Sequence, residues 1–415
     1  MRVSSGQRLS STIETNAQDP SSLFFSRNEP GNLQEDVIAL AEGFVELGIP
    51  FYSSCAYWRQ SLVTNDYLLK HSPLVGHEDC DIVVVRYTWP SWVRMGTFDL
   101  VQNPLPAGLF RGGRKYLTIF MDNHDGYRTV SWEPEYRQFD LILRSKLNPR
   151  AWHPDNMRPW AYGLTNRVIR ATADAPPFNS RRKALLINFG ASRPFPYGAR
   201  NLSRIRFEPK IEKYMPIDRT IDNLSEEPSD CYEALMWRQT GGRFNRRYYE
   251  RLKQSQVVAC FCGDIVPPMP FRGAERYLVG GNRAKLRRAF FEALGVLDPR
   301  PPRSVGWDSF RFWEALAGGC AAINIDLEHY GVKLPVMPQN RKHYLGLNFA
   351  RVKQFIEQLR QEPELLAGVA HAGKRWAELH YSPKAVAQRF LRPCGYDAAL
   401  ADRLQPLTEV GASRS

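Results

Sequence analysis

The stretch CDIVVVRYTW, residues 80–89, carries a run of apolar side chains with no polar alternation. A strand with one wet face alternates apolar and polar residues, so an unbroken β-branched run needs cover on both faces. A largely parallel sheet with helices packed on either side meets that condition, and the rest of the chain supplies the segments to build one. SSLFFS (21–26) is a short apolar strand followed by the turn-rich NEPGN. A helical pattern comes next, with Leu33, Val37, Leu40, Ala41, Phe44 and Val45 on one face. Gly48 ends it, and IPFYSS (49–54) is the second strand. RKYLTIFMDNHDGY (114–127) and FDLILRSKL (139–147) add two more, the first running into a polar, acidic loop.

After the polar stretch ATADAPPFNSRRK (171–183) the alternation starts again. ALLINFG (184–190) is a strand ending at Gly190, and an irregular basic region runs on to residue 240. RRYYERLKQSQ (246–256) reads as a helix and VVACFCG (257–263) as a strand. Residues 264–304 are rich in Pro, Gly and Arg around one basic amphipathic helix at 283–294. Helices at 350–361 and 364–379 precede SPKAVAQRFL (382–391), where Ser382 takes the N-cap and Pro383 the first helical position. A chain of 415 residues exceeds a single core. The layout divides it into a flexible leader (1–20), an N-terminal α/β domain (21–175), a second α/β domain (176–381) and a C-terminal helix and tail (382–415).

With 43% hydrophobic and 24% charged residues, the composition is that of an ordinary globular protein. No segment reaches the roughly 18 apolar residues of a membrane span, and the polar N-terminus lacks the apolar core of a secretion signal. Seven cysteines do not read as a disulfide framework, and a reduced, cytoplasmic setting is expected. Cys260 and Cys262 have no second pair, and His380 and Cys394 lie far away, so no metal site is assigned. The net charge of +13 points to anionic partners: phosphate-bearing substrates, peripheral contact with an anionic membrane surface, or nucleic acid. Arginine, which dominates the excess, suits bidentate phosphate contact. No zinc-finger spacing, repeat or RNA-binding aromatic motif accompanies it, so nucleic acid is not the expected partner.

The segment DSFRFWEALAGGCAAINID, residues 308–326, packs a helix, a Gly-Gly break and a buried strand into 19 residues. Asp308 or Ser309 caps the helix, whose N-terminus presents free N–H groups and the positive dipole end to an anion. Phe312, Ala315, Leu316 and Gly319 form the core face, and Glu314 stands off it. That glutamate is either a solvated surface residue or a carboxylate placed for a ligand. Glu314, Ala315, Leu316, Ala317, Gly319, Cys320 and Ile323 together resemble the donor-binding string of nucleotide-sugar glycosyltransferases of the GT-B fold, with Ala321 replacing the usual proline. The resemblance implies that Glu314 grips the ribose hydroxyls, a task suited to a carboxylate that accepts two hydrogen bonds from a vicinal diol.

Within that fold the sequence is most similar to the exostosin-like family. Ser255, Cys260 and Gly263 match its first element, with Phe261 where a proline is expected, and Ser309, Arg311, Glu314, Ala315, Leu316, Gly319 and Cys320 match its second. The likeness covers residues 246–345. An arginine-rich insertion separates two elements that lie close together in the family, and it reads as a lid, an acceptor loop or decoration. Retaining enzymes of the fold would carry a second glutamate where Gly306 stands, so the resemblance favours inversion, while Asp308 nearby leaves retention as the alternative. It implies two Rossmann-like domains facing across a cleft, with the C-terminal helix packed back on the first.

The expected activity is metal-independent transfer of a sugar from a nucleoside-diphosphate donor, without cofactor, to a hydroxyl of a glycan or other small-molecule acceptor, as in polysaccharide biosynthesis. On the donor side stand Glu314, Ser309, Gly263 and two candidate phosphate cations, Arg193 and Arg311. His329 and Tyr330 follow the motif strand, and Tyr330 either stacks on the donor or packs. The acceptor hydroxyl needs a base. Asp122, His124 and Asp125 cluster beyond a strand's C-terminal end, where ligands sit in open α/β sheets. Asp125 or Asp122 is the preferred base; turn chemistry or a metal site would use the same residues. Gly31 and Asn32 mark either an acceptor-side loop or a plain glycine turn. Two other readings compete: a basic protein that binds nucleic acid or an anionic surface, and a catalytically inactive, lectin-like relative.

Overall fold

The computed structural model describes residues 23–26, 33–86, 105–123, 134–190, 198–220, 226–242, 244–268, 290, 294 and 298–396. The expected leader lies outside these residues, as does the expected basic helix at 283–294 apart from residues 290 and 294.

Eight strands fall in the N-terminal half: β1 (Leu23–Ser26), β2 (Phe51–Ser53), β3 (Tyr57–Arg59), β4 (Tyr67–Leu69), β5 (Ile82–Val85), β6 (Leu117–Asp122), β7 (Leu141–Arg144) and β8 (Met157–Pro159). Six of them form one sheet in the order β2-β1-β5-β6-β7-β8, every pair parallel. β3 and β4 make a separate antiparallel pair. All four residues of β5 are buried, as an unbroken Ile-Val-Val-Val run requires. Helix α1 (Glu35–Leu47) follows β1 and ends at Gly48, whose N–H bonds back to the carbonyls of Phe44 and Val45.

The second half repeats the plan with β9 (Arg182–Leu186), β10 (Ile217–Asp218), β11 (Ser255–Ala259), β12 (Asp264–Val266), β13 (Arg303–Val305), β14 (Ala321–Ile325) and β15 (Leu345–Leu347). Its five-stranded sheet runs β10-β9-β11-β14-β15, again all parallel. The helices after α1 are α2 (Asn166–Thr172), α3 (Ala199–Leu202), α4 (Glu208–Ile211), α5 (Cys231–Gln239), α6 (Arg246–Gln254), α7 (Phe310–Ala317), α8 (Val352–Gln361), α9 (Leu365–Tyr381) and α10 (Pro383–Leu391). No described helix is long and apolar enough to cross a membrane.

Each sheet starts one strand in from an edge, steps outward once, and then crosses back. The reversal leaves a topological switch point between β1 and β5 in the first sheet and between β9 and β11 in the second. Parallel sheets bind ligands beyond their strands' C-terminal ends at such points.

α10 packs chiefly on α1 in the first domain, although it emerges from the second. Phe390 stands edge-on to Phe44 and to Trp160, with ring centroids 5.7 and 6.2 Å apart. A Cβ at Gly43 would lie 2.0 Å from the Pro383 carbonyl oxygen, so only glycine lets the two helices approach this closely. Pro383 takes the first helical turn as expected, but Ser382 makes no side-chain cap bond. Across the cleft, Asn148 Nδ2 donates to the carbonyls of Ser304 (3.1 Å) and Tyr330 (2.9 Å). The architecture is GT-B-like: two Rossmann-like domains face each other, and the C-terminal helix is returned to the first.

The arginine-rich insertion leaves and re-enters the second domain at one place. β12 and β13 pair antiparallel, with Asp264 opposite Val305. Gly263 adopts φ +73°, and a Cβ there would lie 2.2 Å from the Val305 carbonyl oxygen and 2.6 Å from Gly306. The two sequence elements at 255–263 and 309–320 are therefore neighbours in space although about 45 residues of chain separate them.

Candidate functional site

A cavity of about 320 Å³ opens between the domains at the C-terminal edge of β9. Leu33, just ahead of α1, lines it from the first domain and Arg167 of α2 from the connection. The second domain contributes Asn188, Phe189 and Gly190 after β9, Arg200 of α3, Tyr248 and Tyr249 of α6, and Phe310, Arg311 and Glu314 of α7. Both switch points thus supply a wall.

Glu314 is 7% exposed and lies inside a polar network. Tyr249 Oη donates to its Oε1 at 2.8 Å and Tyr248 Oη to its Oε2 at 2.9 Å. Arg167 Nη1 donates to the Tyr249 hydroxyl at 2.7 Å, and Arg167 Nη2 lies 3.8 Å from Glu314 Oε1. The same guanidinium pairs with Glu35 at the start of α1. Burial pushes both phenols far above the ordinary tyrosine range, and the Glu314 carboxylate reinforces the effect, so they stay protonated and donate. Burial works against the charge on Arg167, but Glu35, Tyr249 and Glu314 outweigh it and raise its pKa. Of the two readings of Glu314, that of a solvated surface residue is corrected here. α7 is buried from Phe312 through Ala317, so its polar residue also faces other side chains.

Beside this network sit two arginines of a different kind. Arg311 and Arg200 both approach the Phe189 ring, their guanidinium carbons 5.6 and 5.7 Å from its centroid. Arg200 bonds only weakly, to the Phe261 carbonyl at 3.4 Å and the Cys262 sulfur at 3.7 Å. Arg311 Nε is buried without a hydrogen-bond partner. Neither arginine has a carboxylate partner among the described residues, in contrast to Arg167. Two uncompensated cations over one aromatic ring, next to a buried carboxylate, offer complementary chemistry to an anion attached to a diol.

The other expected residues fall as follows. Ser309 occupies the N-cap of α7 but its hydroxyl donates to the Cys260 carbonyl at 3.4 Å, so it does not cap the helix by its side chain. Asp308 does not cap it either. Its Oδ1 accepts from Trp313 Nε1 at 2.8 Å and its Oδ2 from the Tyr162 N–H of the first domain at 3.1 Å. Burial pushes its pKa up to about 7. Gly263 is the hinge of the ribbon described above. Tyr330 is 2% exposed and packs: its hydroxyl accepts from the Phe349 N–H at 3.0 Å. His329 lines a separate hollow of about 260 Å³ with Asp326, Asn340 and Arg341. Asp122 forms an ion pair with Arg144 at 2.7 Å, both side chains buried. Arg193, His124, Asp125, Gly31 and Asn32 lie outside the described residues.

Sequence reasoning missed Tyr248, Tyr249, Arg167, Glu35, Arg200 and Phe189. The adjacent tyrosines of RRYYERLK fit a packed amphipathic helix equally well. Arg167 and Glu35 are 132 residues apart, so nothing local joins them.

No protein-family model matches the sequence. No curated protein matches it either. Several solved structures are similar. An alpha-glucosyltransferase (AGT) in complex with UDP aligns with a TM-score of 0.49 at 9% identity, over 90% of this chain and 99% of that one. A glycosyltransferase from Rickettsia africae aligns with a TM-score of 0.46 at 10% identity, over 92% and 99%. HepE from Anabaena, in complex with UDP and glucose, aligns with a TM-score of 0.43 at 8% identity, over 90% of this chain and 99% of that one.

Proposed function

We propose that this chain is a glycosyltransferase that binds a nucleoside-diphosphate sugar between its two domains and transfers the sugar, with inversion and without a metal, to a hydroxyl of a glycan or related acceptor. The observation that carries the reading is the pair Arg200 and Arg311, which have no carboxylate partner among the described residues and line the same cavity as Glu314. A diphosphate leaving group gains charge in the transition state, and preorganised guanidinium groups stabilise it where they stand. Glu314 meets the ribose diol by exchanging its two phenolic donors for the two sugar hydroxyls, which leaves its hydrogen-bond count unchanged. Arg193, Ser309 and Gly263 belong to the donor side of this reading, with Ser309 and Gly263 serving the backbone around Arg311. The exostosin-like assignment is supported by the ribbon that reunites its two sequence elements. All seven cysteines are free thiols, which suits a reduced, cytoplasmic setting.

The test is a thermal-shift screen of the full chain against UDP, GDP, ADP and CDP. A ligand at about a hundred times its dissociation constant stabilises the fold by roughly 2.7 kcal/mol. One of the four is expected to raise Tm, and the gain should fall by about half or more in Arg311→Ala. No shift with any of them refutes the donor reading. Binding to DNA or RNA that collapses with added salt, with no nucleotide shift, would favour a nucleic-acid binder instead.

A further inference from the structure

The N-terminus of α1 carries buried polar atoms that nothing among the described residues satisfies. Gln34, the N-cap residue, is 1% exposed, and neither its Oε1 nor its Nε2 has a hydrogen-bond partner. Its backbone is fully used: the N–H donates to Tyr57 Oη at 2.9 Å and the carbonyl accepts from Val37 and Ile38. Asp36 is also 1% exposed. Its Oδ1 lies 3.4 Å from Arg86 Nη2, and its Oδ2 has no partner. Natively buried polar atoms are nearly always bonded, and each orphan costs about 1–3 kcal/mol. Three such atoms within three residues are therefore unusual for packing alone.

Their position is informative. Leu33, one residue earlier, lines the donor cavity, and Glu35, between the two, holds the Arg167 that touches Tyr249. The segment follows β1 at the switch point of the first sheet. Its donors and acceptors have a definite pattern: an amide that gives and accepts one bond, and a carboxylate oxygen that only accepts. An alcohol hydroxyl accepts one bond from the amide N–H and donates its single proton to the carboxylate oxygen, so it satisfies two of the three orphans.

We propose that the N-terminus of α1 is the acceptor-hydroxyl subsite, in which the Gln34 amide orients an alcohol and Asp36 Oδ2 takes its proton. The inference rests on the transferase reading above. The acceptor oxygen bonds to the anomeric carbon of the donor, and the bond from that carbon to the diphosphate oxygen breaks. The nucleoside diphosphate leaves with the electron pair, and the hydroxyl proton goes to Asp36. Arg86, on the other carboxylate oxygen, holds the group in place. Asp122 differs in this respect, since its carboxylate is engaged by Arg144.

Two variants of the full chain test the subsite. Gln34→Met removes an unpartnered amide while keeping the side chain's length. An unfilled hydroxyl site predicts a Tm increase of about 2–4 °C, because an orphan is lost and nothing else is broken. A Tm that falls by that amount means the amide is satisfied by the fold and overturns the proposal. Asp36→Asn is assayed by release of nucleoside diphosphate from UDP-, GDP- or ADP-glucose in the presence of methyl glucosides or glycerol. It should lose at least about 100-fold in kcat, with nucleoside-diphosphate affinity within about twofold of wild type. Turnover retained within about threefold, or loss of nucleotide affinity, overturns the role of Asp36. Wild type that binds no nucleoside diphosphate refutes the donor reading instead, and the Gln34→Met shift is measured without any ligand.

Discussion

Tyr248→Phe separates a ligand-gripping carboxylate from a purely structural one. In the free protein, Glu314 has two charge-assisted bonds, and the one from Tyr248 is 2.9 Å long. A hydrogen bond to a charged group contributes about 1.5–3 kcal/mol, and removing its donor leaves Oε2 buried and unmatched. The variant should lose about that much stability in urea unfolding without ligand. If the ribose diol replaces the phenols in the complex, wild type and variant reach the same bound state, and the penalty applies to the free form alone. The variant then binds nucleoside diphosphate more tightly by the same free energy. At about 1.4 kcal/mol per decade, the gain is about tenfold to a hundredfold. Calorimetric titration of both proteins with the nucleotide found by thermal shift reads this directly. Reduced stability with unchanged or weaker affinity refutes the exchange and makes Glu314 a structural anchor. Glu314→Ala would be a poorer test, because it orphans both phenols and part of the Arg167 environment at once.

Arg200→Ala and Arg311→Ala should each weaken nucleoside-diphosphate binding by about 10- to 100-fold in calorimetry, from the loss of one charged phosphate contact. Tm should change little, since neither arginine holds an ion pair; a large drop in Tm would mark them as structural. Glu42, buried on α1 and accepting from the Asn166 N–H at 2.7 Å, has its pKa raised from 4.5 to about 8, chiefly by burial. The folded state therefore binds this proton more tightly than the unfolded chain between those values, and stability falls as pH rises through the window, by an upper bound of about 5 kcal/mol. Glu42→Gln should flatten that decline in urea titrations at pH 5 and pH 9, and an unchanged slope would show that other groups set it. Gly263→Ala places a Cβ 2.2 Å from the Val305 carbonyl oxygen at φ +73°. It should cost at least about 2 kcal/mol by urea unfolding, from backbone strain together with displacement of the ribbon.

The layers were legible because each rests on a local signal. Ile-Val-Val-Val at 82–85 demanded cover on both faces and lies wholly buried in the middle of the first sheet. Pro383 marked a helix start, and Gly48 a helix end. The site was legible only in part. A helical stripe identifies one buried face, but α7 also meets α6 and the Arg167 network, so Glu314 is covered from a side the stripe does not mark. Tyr330 follows the motif strand and looked like a ligand neighbour, yet the turn that brings Phe349 over its hydroxyl spends it on the backbone. Glu35 and Arg167 pair across 132 residues of the first domain, Asn148 and Tyr330 pair across the two domains, and hydrophobic periodicity does not report such contacts.

The two walls of the cleft treat their buried polar groups in opposite ways, and the difference has an energetic consequence. On the second-domain side the carboxylate of Glu314 is satisfied when the cavity is empty, so a ligand that engages it gains only the difference between two sets of similar bonds. Affinity on that wall has to come from cations with no carboxylate partner among the described residues, which are the guanidinium groups of Arg200 and Arg311. On the first-domain side the Gln34 amide and Asp36 Oδ2 are unsatisfied when empty, at about 1–3 kcal/mol each. A ligand there gains the full bond, and the free protein carries the strain. Arg167 joins the walls, holding Glu35 between the two orphan-bearing residues on one side and the Tyr249 hydroxyl on the other. Any exchange at Tyr249 therefore changes the bonding of the guanidinium that anchors the N-terminus of α1, so occupancy of the donor wall is read at the position of the unsatisfied groups opposite.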